Sequence, residues 1–339
     1  MGIFHFLNVK QGDCSIIEHP NGHVTVIDVC NARHDYSAQD NELTKFLRAE
    51  AARQSPKGNF GQKEFPVNPI EYMRRRGIKS IFRFLLTHPD MDHMDGIKDV
   101  FEAFPVYNFW DTQNTCEDKP FGNNAPFRED DWDFYKSLRD GTLVSAPRRL
   151  TLHAGDRGKY WNEDDSGTGG DGLHILAPTK ALIASANERG EHNDSSYVIL
   201  YKSAAGRIII AGDSHDDTWE HILANHRADV EDVDLLVAPH HGRHSDRDFG
   251  FLNVLRPKLT LFGNASSDHL AYEAWSNRGL QVITNNQANC VIVDTNGATM
   301  QVFVTNETYA RTMNQFTYFS AAHGGYFIGQ IAVGARSAA

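Results

Sequence analysis

A chain of 339 residues, 40% hydrophobic and 23% charged, can bury a sizeable core and is no disordered polymer. Its 44 acidic and 33 basic side chains leave a net charge of −11, which argues against passive binding to nucleic acid or anionic membrane. Four cysteines without paired spacing (Cys14, Cys30, Cys116, Cys290), no leader-like start and no run of about 18 apolar residues predict a soluble, cytoplasmic protein with reduced thiols and no membrane association.

The opening runs IFHFLNV, CSIIEHP and HVTVIDV read as strands, with PNG between the last two as a hairpin signal. A helix is expected from about 38 to 54. Asn68 as N-cap, Pro69 in the first turn, Glu71 as capping-box acid and Gly77 as stop define a second helix. IKSIFRFLLT then reads as a buried strand that empties into LLTHPDMDHMDG, and GIKDVFEAF reads as a helix. Residues 105–190 are expected to be a loop-rich insertion with one helix near 130–139 and a few strands, LHILAP among them. SYVILYKSAAGRIIIAGD is a hairpin ending in Asp213, DVDLLVAPHHG a strand ending in His240 and His241, and KLTLFGN a strand ending in Asn264. With no repeat and no linker, a single domain over 1–310 is expected. The Gly-rich segment 311–339 reads as a C-terminal tail, docked as a final strand or frayed.

Histidine and carboxylate ligate hard-to-borderline divalent metals. In an extended loop residues two apart point the same way, so His88, Asp90 and Asp92 are expected to converge, while Asp92 and His93 diverge. One loop could then serve two ions, His88 with Asp90 and Asp92 with His93, at the ~3.5–4 Å separation of two-metal sites. The remaining ligands are expected downstream at His192, Asp213 and His241, with Asp213 as the bridge. The ions would acidify a shared water, and Asp92 would orient it or take its proton. Two choices stay open. Asp194 competes with His192, and His240 with His241; a His240 not used as a ligand would contact substrate or support the ligands from behind. Asp13 and Asp28 are expected to support the rim.

FLNVKQGDCSIIEHPNGHVTVIDV, YMRRRGIKSIFRFLLTHPDMDHMDG, HNDSSYVIL, IIIAGD and VAPHHG resemble, in that order, motifs of the metallo-β-lactamase fold. More narrowly they resemble the hydrolase domain of the competence protein ComEC (Rec2) and its soluble relatives. Five ordered motifs are far more specific than any one of them. The resemblance implies an α/β protein with an αβ/βα four-layer sandwich, two mixed sheets flanked by helices and metals at one rim. It implies hydrolysis of an ester, amide or phosphodiester with two divalent ions. Asp90 stands where the wider fold carries a second histidine, which shifts preference toward Mn²⁺ or Mg²⁺ while Zn²⁺ remains compatible. Lys10 replaces a glycine of the opening motif and Arg243 a serine of the last; with Arg247 they are candidate phosphate contacts. Asn264 and His269 are candidate substrate residues by the same resemblance.

The leading expectation is a phosphodiesterase or nuclease with Asp92 and His240 at the reaction centre. The acidic surface favours a small phosphodiester over a long nucleic acid. The alternatives are a hydrolase of an amide, lactone or thioester, and a metal-stabilised component of a multi-protein bacterial defence system, for which 105–190 could meet a partner protein.

Overall fold

The computed structural model describes residues 2–34, 42–54, 58–117, 119, 121–122, 125–165 and 169–333. The chain builds most of one sheet, then all of a second, and then returns to the first. Strands β1 (Ile3–Phe6), β2 (Ser15–Glu18), β3 (Val24–Ile27), β4 (Ile81–Leu85), β5 (Val106–Trp110) and β6 (Arg148–Leu150) come first. The second sheet holds β7 (Leu173–Ala177), β8 (Val198–Ser203), β9 (Gly206–Ile210), β10 (Leu235–Val237), β11 (Leu259–Phe262) and β12 (Val282–Thr284). Then β13 (Val291–Asp294), β14 (Thr299–Val304), β15 (Phe319–Ser320) and β16 (Gly325–Ala332) complete the first, in the order β15-β16-β14-β13-β1-β2-β3-β4-β5-β6.

Both sheets are mixed. β3 to β6 run parallel, as do β9 to β12, and the remaining pairs are antiparallel. Parallel neighbours need crossovers, and helices supply them: Ile97–Ala103 between β4 and β5, and Asp216–Asn225 between β9 and β10. The β2–β3 hairpin closes at PNG, with Gly22 N–H donating to His19 O.

Side-chain alternation along the strands fixes the layers. Phe4, Ile17, Leu85, Ile199, Ile210 and Val237 meet in the seam between the sheets. Their strand neighbours face outward. Ile16 and Phe84 pack with Met73, Val100 and Trp132 of the helices on one side. Val198, Ile209 and Leu236 pack with Trp219, Leu255 and Trp275 on the other. The result is helix, sheet, sheet, helix: the αβ/βα sandwich expected from the sequence.

Asn68 caps the helix Pro69–Arg75 by accepting from the N–H groups of Ile70 and Glu71. The helix expected over 38–54 is observed as Glu42–Gln54. The helix expected near 130–139 spans Glu129–Arg139. The few strands expected within 105–190 are β5 and β6, which extend the first sheet, and β7, while Lys180–Arg189 is a helix that the sequence reading missed. Thr179 caps it by accepting from Leu182 N–H, and Gly190 ends it at φ 70°. The segment from 311 continues the helix Glu307–Met313 and then forms β16, which pairs with β14. Among the described residues no helix is long and apolar enough to cross a membrane. All four cysteines are buried free thiols.

Candidate metal centre

The C-terminal ends of the parallel strands of both sheets meet at one rim. Asp28 follows β3, the 88–93 segment follows β4, Asp213 follows β9, and His240 and His241 follow β10. Strand C-termini are where open α/β sheets place ligands.

The expected convergence of His88, Asp90 and Asp92 fails at residue 91. Met91–His93 is a single 3-10 turn, closed by His93 N–H donating to Asp90 O at 3.0 Å. The turn breaks the extended alternation and separates the two carboxylates. Asp90 Oδ2 stays 3.5 Å from His88 Nε2, while Asp92 Oδ2 lies 3.4 Å from His241 Nε2.

Asp213 sits at the centre. Its Oδ1 is 3.2 Å from His93 Nε2, and its Oδ2 is 3.7 Å from His88 Nε2 and 3.8 Å from His241 Nε2. Donor atoms of His88, His93 and Asp213 lie within 4.8 Å of one another, as do those of Asp92, His93 and His241, and those of Asp13, Asp213 and His241. Buried polar atoms normally find partners. Here His88 Nε2, His93 Nε2, His241 Nε2 and Asp213 Oδ1 are buried with no hydrogen-bond partner. Three imidazole nitrogens and a carboxylate oxygen aimed at a common space suit a borderline divalent cation.

The other ring nitrogens explain which lone pairs face that space. His93 Nδ1 donates to Asp28 Oδ2 at 2.8 Å. Thr87 Oγ1 donates to Asp28 Oδ2 at 2.6 Å, so it accepts from His88 Nδ1 at 3.0 Å. His241 Nδ1 lies 3.0 Å from Asp13 Oδ1. The His93 and His88 contacts place the proton on Nδ1 and leave Nε2 unprotonated in the neutral ring, as carboxylate–histidine–metal arrangements do, while His241 and Asp13 form a close ionic contact without hydrogen-bond alignment. His240 is wired the opposite way. Arginine only donates, so Arg247 Nη2, 3.2 Å away, makes His240 Nδ1 an acceptor and puts the ring proton on Nε2, 3.6 Å from Asp213 Oδ2.

His240 and His241 both adopt left-handed backbone, at φ 50° and 58°. Two successive non-glycine residues in that region store strain of about 1–3 kcal/mol each, a habit of functional sites. Burial opposes charge on His241, but Asp13 and Asp213 outweigh it and raise the imidazolium to about 10. His93 is likewise raised, with Asp213 and Asp28 overcoming burial. Burial holds His240 down to about 4, aided by His241 and Arg247. Burial disfavours an Asp213 carboxylate, yet His93, His241 and His88 keep it far below the usual carboxylate range.

His192 is not gathered with the others. It lies in the turn His192–Ser195, on the Asp90 side, with its Nδ1 buried and unpartnered. Asp194 turns away to Arg189 at 2.7 Å. Arg247, read as a candidate phosphate contact, is buried and donates to Ser214 O at 2.6 Å. Asn264 uses its amide protons on Asn8 Oδ1 and Val9 O. Lys119 was not anticipated. Its Nζ lies 2.8 Å from Asp90 Oδ1, and no local spacing in the sequence signals that contact.

A cleft of about 620 Å³ opens beside Asp92 and is lined by Lys10, Lys63, Phe127, Arg243 and His269. Arg243 Nη2 approaches His269 Nδ1 at 3.4 Å. The cleft acid Asp95 is engaged by Arg33 at 2.6 Å. Burial pushes the cleft thiol of Cys30 up to about 12, so it offers no thiolate.

No protein-family model and no curated protein sequence matches this chain. Several solved structures are similar in backbone course. One is the metallo-β-lactamase fold protein YhfI from Bacillus subtilis, with 12% identity, 84% of this chain and 96% of that chain covered, and a TM-score of 0.43. Igni18, a metallo hydrolase from the archaeon Ignicoccus hospitalis, has 12% identity, 86% and 99% coverage and a TM-score of 0.45. Tm1679, a metal-dependent hydrolase of the β-lactamase superfamily, has 10% identity, 84% and 96% coverage and a TM-score of 0.42.

Proposed function

We propose that this protein is a divalent-metal-dependent hydrolase of the metallo-β-lactamase fold, acting on phosphodiesters. The observation that carries the metal reading is the convergence of three unpartnered, buried imidazole Nε2 atoms on Asp213. Asp92, His93, His241 and Asp213 would hold one ion, and His88 with Asp90 and Asp213 a second, with His192 beside it. Bound divalent ions supply Lewis-acid polarisation and a water nucleophile at neutral pH.

The chain's own residues account for the rest. Asp92, partly open to the cleft, is placed to orient the attacking water. His240 presents an Nε2–H beside Asp213 and stays neutral at pH 7, as a hydrogen-bond donor to a leaving or non-bridging oxygen requires. Lys10, Lys63 and Arg243 give the cleft a cationic wall suited to phosphate, set on a surface whose net charge is −11. That combination favours a small phosphodiester, such as a short or cyclic oligonucleotide, and agrees with the resemblance to ComEC-like hydrolases.

The test is a substrate screen with Mn²⁺ or Zn²⁺ on bis(p-nitrophenyl) phosphate, cyclic dinucleotides, single-stranded DNA, plasmid and a chromogenic β-lactam. Turnover of a phosphodiester that disappears in His88→Ala supports the proposal. Turnover of the lactam alone overturns the substrate class.

A further inference from the structure

We propose that Lys119 makes the two cation positions of the rim unequal, acting as a built-in positive charge that competes with the ion at His88 and Asp90. The inference rests on the metal reading above. Lys119 lies on the loop between β5 and the helix Glu129–Arg139. Its Nζ contacts Asp90 Oδ1 at 2.8 Å and sits 5.7 Å from the centroid of the buried Trp132 ring. Carboxylate on one side and aromatic face on the other hold the ammonium in place.

The contact divides Asp90 between two tasks. Oδ2 faces His88 Nε2 while Oδ1 is neutralised by Lys119. At the opposite position the ion-pair contacts seen among the described residues, those of Asp92 and Asp213, are with histidines. The ligand groups show the same asymmetry. His88, Asp92 and Asp213 all fall into tight donor groups, whereas Asp90 and His192 fall into none among the described residues. An ammonium beside a dication in a partly buried site repels it over a few ångströms, where screening is weak. The position formed by Asp92, His93, His241 and Asp213 therefore fills first, and the His88–Asp90 position fills only as Lys119 withdraws. A cavity of about 770 Å³, lined by Asp90, Lys119, Arg189 and His192, gives the side chain room to leave.

The experiment strips the full-length protein with a chelator and titrates it with Mn²⁺, following stoichiometry by elemental analysis and spin coupling by electron paramagnetic resonance. Wild type is expected to bind its first ion at least roughly tenfold more tightly than its second, with an uncoupled Mn²⁺ spectrum at one equivalent. Lys119→Met is expected to narrow that gap about tenfold, so that the coupled spectrum appears at lower Mn²⁺. Lys119→Gln serves as a second variant, with circular dichroism to verify folding. Two equal sites in wild type, or an unchanged gap in both variants, overturns the role of Lys119 and leaves the metal reading standing. No ion bound by any of the proteins removes both.

Discussion

His93 is fixed between two carboxylates: its Nδ1 donates to Asp28 Oδ2 at 2.8 Å, and its Nε2 faces Asp213 Oδ1 at 3.2 Å. Asp28 also accepts from the backbone N–H and the hydroxyl of Thr87, which in turn orients His88. A single buried carboxylate thus sets the ring orientation of two proposed ligands. Asp28→Asn isolates its charge, since asparagine tolerates the left-handed φ of 56° found there. Mn²⁺ affinity is expected to fall about 10–100-fold with the fold retained, as read by calorimetric titration and far-ultraviolet circular dichroism. Unchanged affinity would remove Asp28 from this role.

Gly12 shows how tightly the loop before β2 is packed under the 88–93 turn. A Cβ there would lie 1.6 Å from the Asp92 carbonyl oxygen. Gly12→Ala must displace that turn, costing about 1–3 kcal/mol in stability and lowering the number of ions bound. Gly22→Ala is the control. It meets no atom within 4 Å, so it carries only left-handed backbone strain of about 1–2 kcal/mol and leaves ion binding intact. Thermal unfolding with elemental analysis separates the two.

Ion binding is expected to release protons. His93 and His241 are both raised by their carboxylate partners and carry protons at pH 7 in the ion-free protein. A metal needs the neutral ring, so loading expels about two protons at pH 7 and affinity rises with pH. The same shifts act on ion-free stability in the opposite direction. The His241 contribution is complete below its ordinary value of 6.5 and is lost as pH rises toward about 10. Calorimetry in buffers of different ionisation enthalpy measures the release, and absence of proton exchange contradicts the ligand roles.

The adjacent histidines should separate cleanly. His241→Ala is expected to lower ion stoichiometry, because its Nε2 faces the cluster 3.4 Å from Asp92 Oδ2 while Asp13 lies on the Nδ1 side. His240→Ala is expected to keep the ions and reduce phosphodiester turnover about 100-fold, the scale of a lost acid or hydrogen-bond donor. Arg247→Gln should mimic a weaker form of the His240 change. The reverse pattern in ion content would exchange the two roles.

Much of this architecture is legible in the sequence wherever the cause is local. Asn68, Pro69 and Gly77 mark a helix because capping acts within one turn, and PNG marks a hairpin for the same reason. The 88–93 segment betrays itself by spacing, and Asp213 and His241 by their places after apolar strands. Contacts made across the chain leave no such trace. Lys119 reaches Asp90 from a loop, and β13 pairs with β1 only because the chain returns to its first sheet. The misjudged direction of Asp92 has a local cause: a 3-10 turn replaced extended backbone at Met91. The reading of Arg247 as a phosphate contact could not foresee its partners, Ser214 O and the His240 ring, because they come together only in the folded chain.

The seam between the sheets does more than exclude water. Leu85, Ile210 and Val237 each lie there, three residues before His88, Asp213 and His240 respectively. Their bulk therefore gauges how far apart the two halves of the rim stand. A methylene added or removed at any of these apolar positions would alter the bite of the polar groups without touching one of them. The spacing of the proposed ligands is thus set partly by hydrocarbon.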